Sequence, residues 1–260
     1  MRLIKAFARI FVTFVWTLLL LPLQCVSIAL GGARNSERVP RLYHAGLCRI
    51  LGIEINIVGI PVAHRPALFV ANHGSCLDIL VLCSLVDGFF VAKAEVARWP
   101  EVGVMARLQR TEFVERACRQ AGTRVRQLQQ RLEGGARLMI FPEVTSTDGS
   151  YVLPFKSALF SVVERLPLSV EPVMQPVTVA YVRIGEHPAD WRTRPIVAWY
   201  GDMEFVPHIW GVFQLGGISV EVTFHEPAPD ICYESRKALS AHCEEVIVAE
   251  HTRLMEDKSK

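Results

Sequence analysis

The sequence predicts an α/β fold: a mixed, largely parallel central sheet flanked by helices, with a membrane-associated helical segment at the N-terminus. Three observations carry this expectation. Short apolar runs alternate with amphipathic stretches of helical period along most of the chain, the pattern of strand–helix units. Ile10 to Leu30 is apolar apart from Thr13, Thr17, Pro22, Gln24 and Ser27, long enough to cross a bilayer. The chain is 51% hydrophobic yet 21% charged, with a mean hydropathy of +0.27. That balance excludes a polytopic membrane protein and fits a globular domain with one attachment. Residues 1–33 are therefore expected to form the attachment segment and 34–260 a single domain, with no internal repeat or linker.

Taken in order, Arg2, Lys5 and Arg9 precede the apolar stretch, and Arg34, Arg38 and Arg41 follow it, so charge does not orient it. No small-x-small cleavage site precedes Gly31, which argues against a removed signal peptide. Two arrangements keep the remainder in a reducing compartment: a span with its N-terminus on the far side, or a helix bent at Pro22 that dips in and returns. Val39 to Leu51 has helical spacing, and Ile53, Ile55 and Ile57 alternate with polar residues as in a half-buried strand. Further strands are expected at Ala67 to Ala71, Phe89 to Ala92, Thr111 to Val114, Arg137 to Phe141, Val177 to Val182, Pro195 to Trp199 and Ile218 to Phe224. Helices are expected from Ile79, from Arg116 to Glu133 and from Ser235 to Met255.

The formal net charge is +2, so no bulk basic field points to nucleic acid. Arginines 116, 119, 124, 126 and 131 read as the solvated face of a helix. Seven cysteines are odd in number, scattered and without a CxxC pair, which implies free thiols and no disulfide framework. His44, His64, His73, His187 and His208 show no ligand-pair spacing, so no metal site is expected.

The stretch Ala71-Asn72-His73-Gly74-Ser75-Cys76-Leu77-Asp78 organises the rest. Five residues rotate a helical side chain by roughly 140° and reverse the face of a strand, so neither element lets His73 meet Asp78. A strand–turn–helix does, with His73 in the turn and Asp78 in the first helical turn. The carboxylate would then fix the imidazole tautomer and leave the other nitrogen free to take a proton. Ser75-Cys76-Leu77-Asp78 also fits a capping box that merely starts a helix, and the two readings are compatible.

Four ordered stretches resemble the glycerolipid acyltransferase family of the lysophosphatidate type, over roughly residues 40 to 225. Its NHxSxxD motif is matched by Asn72, His73, Ser75 and Asp78, and its Phe-x-x-Arg by Phe113 and Arg116. FPEGTRS is matched in part by Phe141, Pro142, Glu143 and Thr145, and an apolar strand centred on proline loosely by Val173, Gln175, Pro176 and Val177. The resemblance implies transfer of a fatty acyl group from a thioester on coenzyme A or acyl carrier protein to a lysolipid hydroxyl. His73 and Asp78 are the implied catalytic pair. Asn72, Ser75, Phe113, Arg116, Glu143 and Thr145 are the implied substrate-binding positions, with Arg116 holding an acceptor phosphate. The donor thioester is a co-substrate, so no permanently bound cofactor is expected. Cys76 occupies a variable position of the motif and reads as packing.

Two departures bear on the acceptor. Val144 stands where the family has glycine, and Ser146 where it has arginine. Lys156 is a candidate substitute cation, while Lys93 reads as a surface lysine. The main expectation is conversion of 1-acyl-sn-glycerol-3-phosphate to phosphatidate, with lyso-ornithine lipid or another lysolipid as the alternative acceptor. Two readings of other classes stand beside it: a thioester or lipid hydrolase, and a non-catalytic lipid-binding protein. Because lysolipid and product both partition into bilayers, and acyl thioesters are cytosolic, a membrane protein whose catalytic domain faces the cytoplasm is expected.

Overall fold

A computed structural model describes residues 2–30, 33–64, 66–93, 103–109, 111–114, 121–164, 166–167 and 170–257. The chain opens with two long helices, α1 (Arg2–Ala29) and α2 (Ala33–Leu51), and continues through β1 (Ile53–Val58), β2 (Ala67–Ala71), α3 (Leu77–Leu85) and β3 (Phe89–Lys93). Next come α4 (Gly103–Leu108), β4 (Glu112–Val114), α5 (Ala121–Glu133), β5 (Arg137–Ile140) and α6 (Ser161–Glu164). The last third holds β6 (Val173–Ile184), β7 (His187–Pro188), α7 (Arg194–Val197), α8 (Phe205–Gln214), β8 (Ile218–Phe224) and α9 (Arg236–Asp257).

Among the described residues the strands form one sheet in the order β1-β8-β6-β2-β5-β3-β4, with β7 paired to β6. All pairings are parallel except those of β6 with β8 and with β7. This is the mixed, largely parallel sheet the sequence predicts. The central strand β2 is buried at all five positions, as its unbroken apolar run requires in a sheet covered on both faces. One core packs Phe69, Ala71, Val177, Val179 and Val222 against α3 residues Leu77 and Val81. The opposite face packs Leu68, Val70 and Leu138 against Leu239, Cys243 and Ile247 of α9. The half-buried strand expected at Ile53 is the edge strand β1, and its exposed Ile57 lies at the free edge.

Two expectations need correction. Pro195 to Trp199 is not a strand: Arg194–Val197 is one helical turn with proline at its start, followed by extended chain. Proline fixes φ and suits a first helical position, and a short apolar run does not distinguish strand from buried helix. The carbonyls here bond the loops near His73 instead of a neighbouring strand. The apolar helix α8 is the second difference, since no helix was expected between Phe205 and Gln214.

The N-terminal helix is continuous through Pro22 and does not stand away from the domain. Lys5 donates to Gly216 O and Arg9 to Phe213 O and Leu215 O, while Gln24 donates to Leu108 O. Between these ties, Trp16 Nε1 donates to Tyr43 O of α2. The anchoring side chains from Lys5 to Gln24 cover about 28 Å of helix, so the domain flanks α1 along nearly its whole length. The opposite face of α1 exposes Phe7, Phe11, Phe14, Leu18 and Leu19.

Candidate active site

The site forms where β2 ends. Strand register places the last residue of β2, Ala71, beside Val177 of β6, and β6 then runs seven residues further. Asn72 carries the ladder one step beyond β2 with its side chain: Nδ2 donates to Val179 O at 2.9 Å and Oδ1 accepts from Val179 N at 2.8 Å. The backbone is thereby fixed immediately before it turns at His73.

His73 lies in the turn and Asp78 in the first turn of α3, as the spacing argument requires. His73 Nδ1 donates to Asp78 Oδ2 at 3.0 Å. The same oxygen accepts the backbone N–H groups of Gly74 and Ser75, each at 2.9 Å, and Oδ1 accepts the Tyr181 hydroxyl at 2.7 Å. Asp78 is fully buried, so these four donors replace water around its carboxylate. The capping and the base-orienting readings thus hold together: one carboxylate closes the helix entrance and fixes the imidazole. With Nδ1 committed to Asp78, the lone pair falls on Nε2, which has no hydrogen bond among the described residues. The His73 side chain remains 17% exposed while that of Asp78 is 1% exposed.

Packing holds the ring in plane. His73 stacks on Phe141 with centroids 4.1 Å apart and 14° between planes, and Phe141 stacks in turn on Phe90 at 5.4 Å. Phe141 opens the second loop of the site, where β5 ends. There Glu143 is buried, and its two oxygens accept His73 N at 2.6 Å and Leu153 N at 2.7 Å. Burial raises the Glu143 carboxyl to about 7, against the opposing pull of those two N–H groups. The two loops touch glycine to glycine: a Cβ on Gly74 would lie 3.4 Å from Gly149 Cα. Val144 has φ of 63°, a left-handed conformation that a β-branched side chain disfavours. The position where the family pattern has glycine therefore keeps the glycine conformation with valine in it.

A third wall runs from α7 into α8. Ser75 Oγ donates to Val197 O at 2.6 Å and accepts Leu77 N at 3.1 Å. Trp199 N donates to Gly74 O at 3.2 Å, and Ser146 Oγ donates to Trp199 O. Ser146 thus ties the second loop to this wall.

Of the residues named from sequence, His73, Asp78, Asn72, Ser75 and Glu143 come together. The polar atoms of Asn72, Ser75 and Glu143 are engaged by the protein itself and hold the loop in place. Thr145 is exposed at the loop surface, and Lys156 is exposed, its backbone N donating to Pro142 O. Phe113 lies in β4, its side chain outside the described residues, and Arg116 lies outside them entirely. Burial pushes the Cys76 thiol up to about 12 and Asp78 adds to the shift, which disfavours the thiolate a nucleophile needs. Tyr181 was not anticipated, being 103 residues from its partner. Periodicity marks it only as one more inward position of a buried strand.

The sequence model of the Acyltransferase family matches residues 33–179. The lyso-ornithine lipid O-acyltransferase of Brucella abortus (strain 2308) is 40% identical over 230 residues, 86% of this chain and 85% of that protein. The 1-acyl-sn-glycerol-3-phosphate acyltransferase of Neisseria gonorrhoeae is 29% identical over 202 residues, covering 76% of this chain and 74% of its own. The crystal structure of the 1-acyl-sn-glycerophosphate (LPA) acyltransferase from Thermotoga maritima superposes with a TM-score of 0.70 at 20% identity, over 98% of each chain. The strand–turn–helix that joins His73 to Asp78 therefore sits in a fold shared with that enzyme, and the chain belongs to the acyltransferase family, as an acyltransferase acting on lysolipids.

Proposed function

We propose that the chain moves a fatty acyl group from an acyl thioester, on coenzyme A or acyl carrier protein, to the hydroxyl of lyso-ornithine lipid. The pairing of His73 with buried Asp78 carries the mechanism. Nε2 removes the proton from the acceptor hydroxyl as its oxygen attacks the thioester carbonyl, and Asp78 stabilises the imidazolium that forms. Collapse of the tetrahedral intermediate expels the thiolate, which takes the proton from His73. The products are an ester and a free thiol. The donor is already activated, so no enzyme nucleophile is needed, in keeping with the raised Cys76 thiol.

The acceptor departs from the sequence expectation of lysophosphatidate. Support comes from the higher identity to relatives named for lyso-ornithine lipid, 40% and 38%, than to the 1-acyl-sn-glycerol-3-phosphate acyltransferase of Neisseria gonorrhoeae at 29%. The second loop agrees with it. Ser146, in place of a cation, spends its hydroxyl on Trp199 O, and an N-acylated ornithine presents a carboxylate and an ammonium instead of a phosphate monoester. The exposed apolar face of α1 supports a reaction at a bilayer surface. The free cysteines fit a domain on the cytoplasmic side, where acyl thioesters are available.

The test is acyl transfer from a labelled thioester into a panel of lysolipids by membranes holding the wild type or His73→Ala. Ester formed on lyso-ornithine lipid, and reduced at least about a thousandfold in the variant, is the expected result. Phosphatidate as the dominant product would overturn the acceptor, and thioester cleavage without an acylated lipid would overturn transfer.

A further inference from the structure

We infer that Tyr181 is a positioning residue of the His73–Asp78 pair: its hydroxyl holds the second oxygen of Asp78 and limits how strongly that carboxylate draws a proton to His73. The inference rests on the reading of His73 as the general base.

Asp78 is served unequally. Three donors, His73 Nδ1, Gly74 N and Ser75 N, converge on Oδ2, whereas Oδ1 accepts the Tyr181 hydroxyl at 2.7 Å. The carboxylate is fully buried. Without the phenol, Oδ1 would lose the hydrogen bond that pins it and stand in an apolar environment. The ring itself has no need of a hydroxyl. Tyr181 belongs to the core cluster that includes Val177, Val179, Leu77 and Val81, where phenylalanine would pack equally well.

The strand is shaped to deliver this side chain. Val177, Val179 and Tyr181 face the core on the α3 side, while Ala180 and Val182 face Leu254 of α9. The pairing with β8 then slips between Tyr181 and Arg183, and Ile184 returns to the α3 side. A bulge thus sits immediately after Tyr181, at the part of β6 that overhangs the end of β2. Bulges of this kind commonly re-aim side chains beside reactive groups. Burial, and then Asp78, hold the phenol well above its ordinary titration range, so the hydroxyl stays protonated and acts as a donor.

The sign of the effect follows. Removing the donor concentrates negative charge on Asp78, the imidazolium of His73 is held more tightly, and the proton is released at higher pH. Strengthening the donor does the reverse. The experiment uses the full chain in detergent micelles with ring-labelled histidine, the His73 signal being identified by its loss in His73→Ala. Its NMR titration is read alongside the pH profile of acyl transfer. Glu143, which accepts His73 N and is itself raised to about 7, also faces the pair in wild type and variant alike, together with Cys76 and His251 of α9. The reading is therefore the difference between the two: in Tyr181→Phe the His73 midpoint and the acid limb of kcat are expected to move up by about half a pH unit or more. The plateau kcat should fall roughly tenfold, with KM for the lysolipid within about twofold. Site-specific 3-fluorotyrosine at position 181 keeps the shape and sharpens the donor, so midpoint and limb should move down. It also keeps the question open to test if the phenylalanine variant fails to fold. A midpoint and acid limb that coincide with the wild type under fluorination overturn the inference. A wild type that acylates no lysolipid while the His73 midpoint still moves in both directions supports the inference and defeats the proposed reaction instead.

Discussion

Glu143 links the two loops of the candidate site, because one oxygen accepts His73 N and the other Leu153 N. Its carboxyl is raised by burial from 4.5 to about 7. For a raised acid the native fold binds the proton more tightly than the unfolded chain. The stabilisation is fully present below about 4.5 and lost as pH rises through about 7. The loss amounts to about 3 kcal/mol by pH 8, or roughly 5–10 °C in melting temperature for a chain of this size. Melting of the wild type in detergent should therefore fall more steeply between pH 5 and pH 8 than that of Glu143→Gln, which cannot titrate there. The variant should also lose activity at every pH, since its amide N–H₂ must face one of two backbone N–H donors; equal slopes would refute the assignment. This residue also marks what sequence can reveal. The motifs located His73, Asp78 and Glu143, and five-residue spacing sufficed to derive the His73–Asp78 bond. That Glu143 serves the loop backbone follows only from the folded path of Leu153. Tyr181 was illegible because its partner lies 103 residues away along the chain, at the start of α3.

At the scale of elements, β2, β3, β5, β6, β8 and α9 were readable because each carries its own periodicity and bounding turn residues. Pro195 to Trp199 misled for a physical reason. Its Val197 and Ala198 are buried beside the Gly74–Ser75 turn while Ile196 is exposed, and an apolar run does not by itself dictate strand or helix. The close approach of α1 to α2 was also hidden, since the pattern of either helix names no partner. It depends on Gly46, where a Cβ would lie 2.3 Å from Trp16 Nε1, the atom that donates to Tyr43 O. A rigid indole committed to a hydrogen bond cannot yield locally, so Gly46→Ala must either push the helices apart or break that bond. The expected cost is about 1–3 kcal/mol, seen as a melting temperature lowered by roughly 2–8 °C. Trp16→Leu should rescue Gly46→Ala by making room. A Gly46→Ala protein that melts with the wild type would show that the helices are not held at this point.

The whole molecule joins a helix with one exposed apolar face to a domain that grips it at both ends, and this bears on how α1 would meet a bilayer. A helix crossing the membrane would carry the residues near Lys5 and those near Gln24 to opposite sides. Yet Lys5 and Arg9 bond the turn at 213–216, and Gln24 bonds Leu108, all in the same domain. The domain would have to enter the hydrocarbon for α1 to span it, and its charged surface would carry a desolvation cost with no compensation. An orientation in the plane of the interface satisfies both faces of α1. The side with Arg9, Leu20 and Gln24 would stay on protein, and the exposed side with Phe7, Phe11, Phe14 and Leu18 would enter the acyl region. Continuation through α8 is direct, since Phe7 packs edge-on against Trp210 at 5.4 Å, and α8 begins six residues after the Trp199 that bonds Gly74 O. Phe11→Asp combined with Leu18→Asp places two charges on the apolar side without touching the anchoring side. Flotation with phospholipid vesicles should then weaken by about a hundredfold or more, and transfer to bilayer-borne acceptor should fall with it. Transfer to acceptor dispersed in detergent should stay within about threefold of the wild type, because the His73 turn is unaltered. If the double variant floats like the wild type, the exposed face of α1 is not what meets the membrane; if it loses activity in detergent as well, α1 supports the fold and the argument for an interfacial role fails.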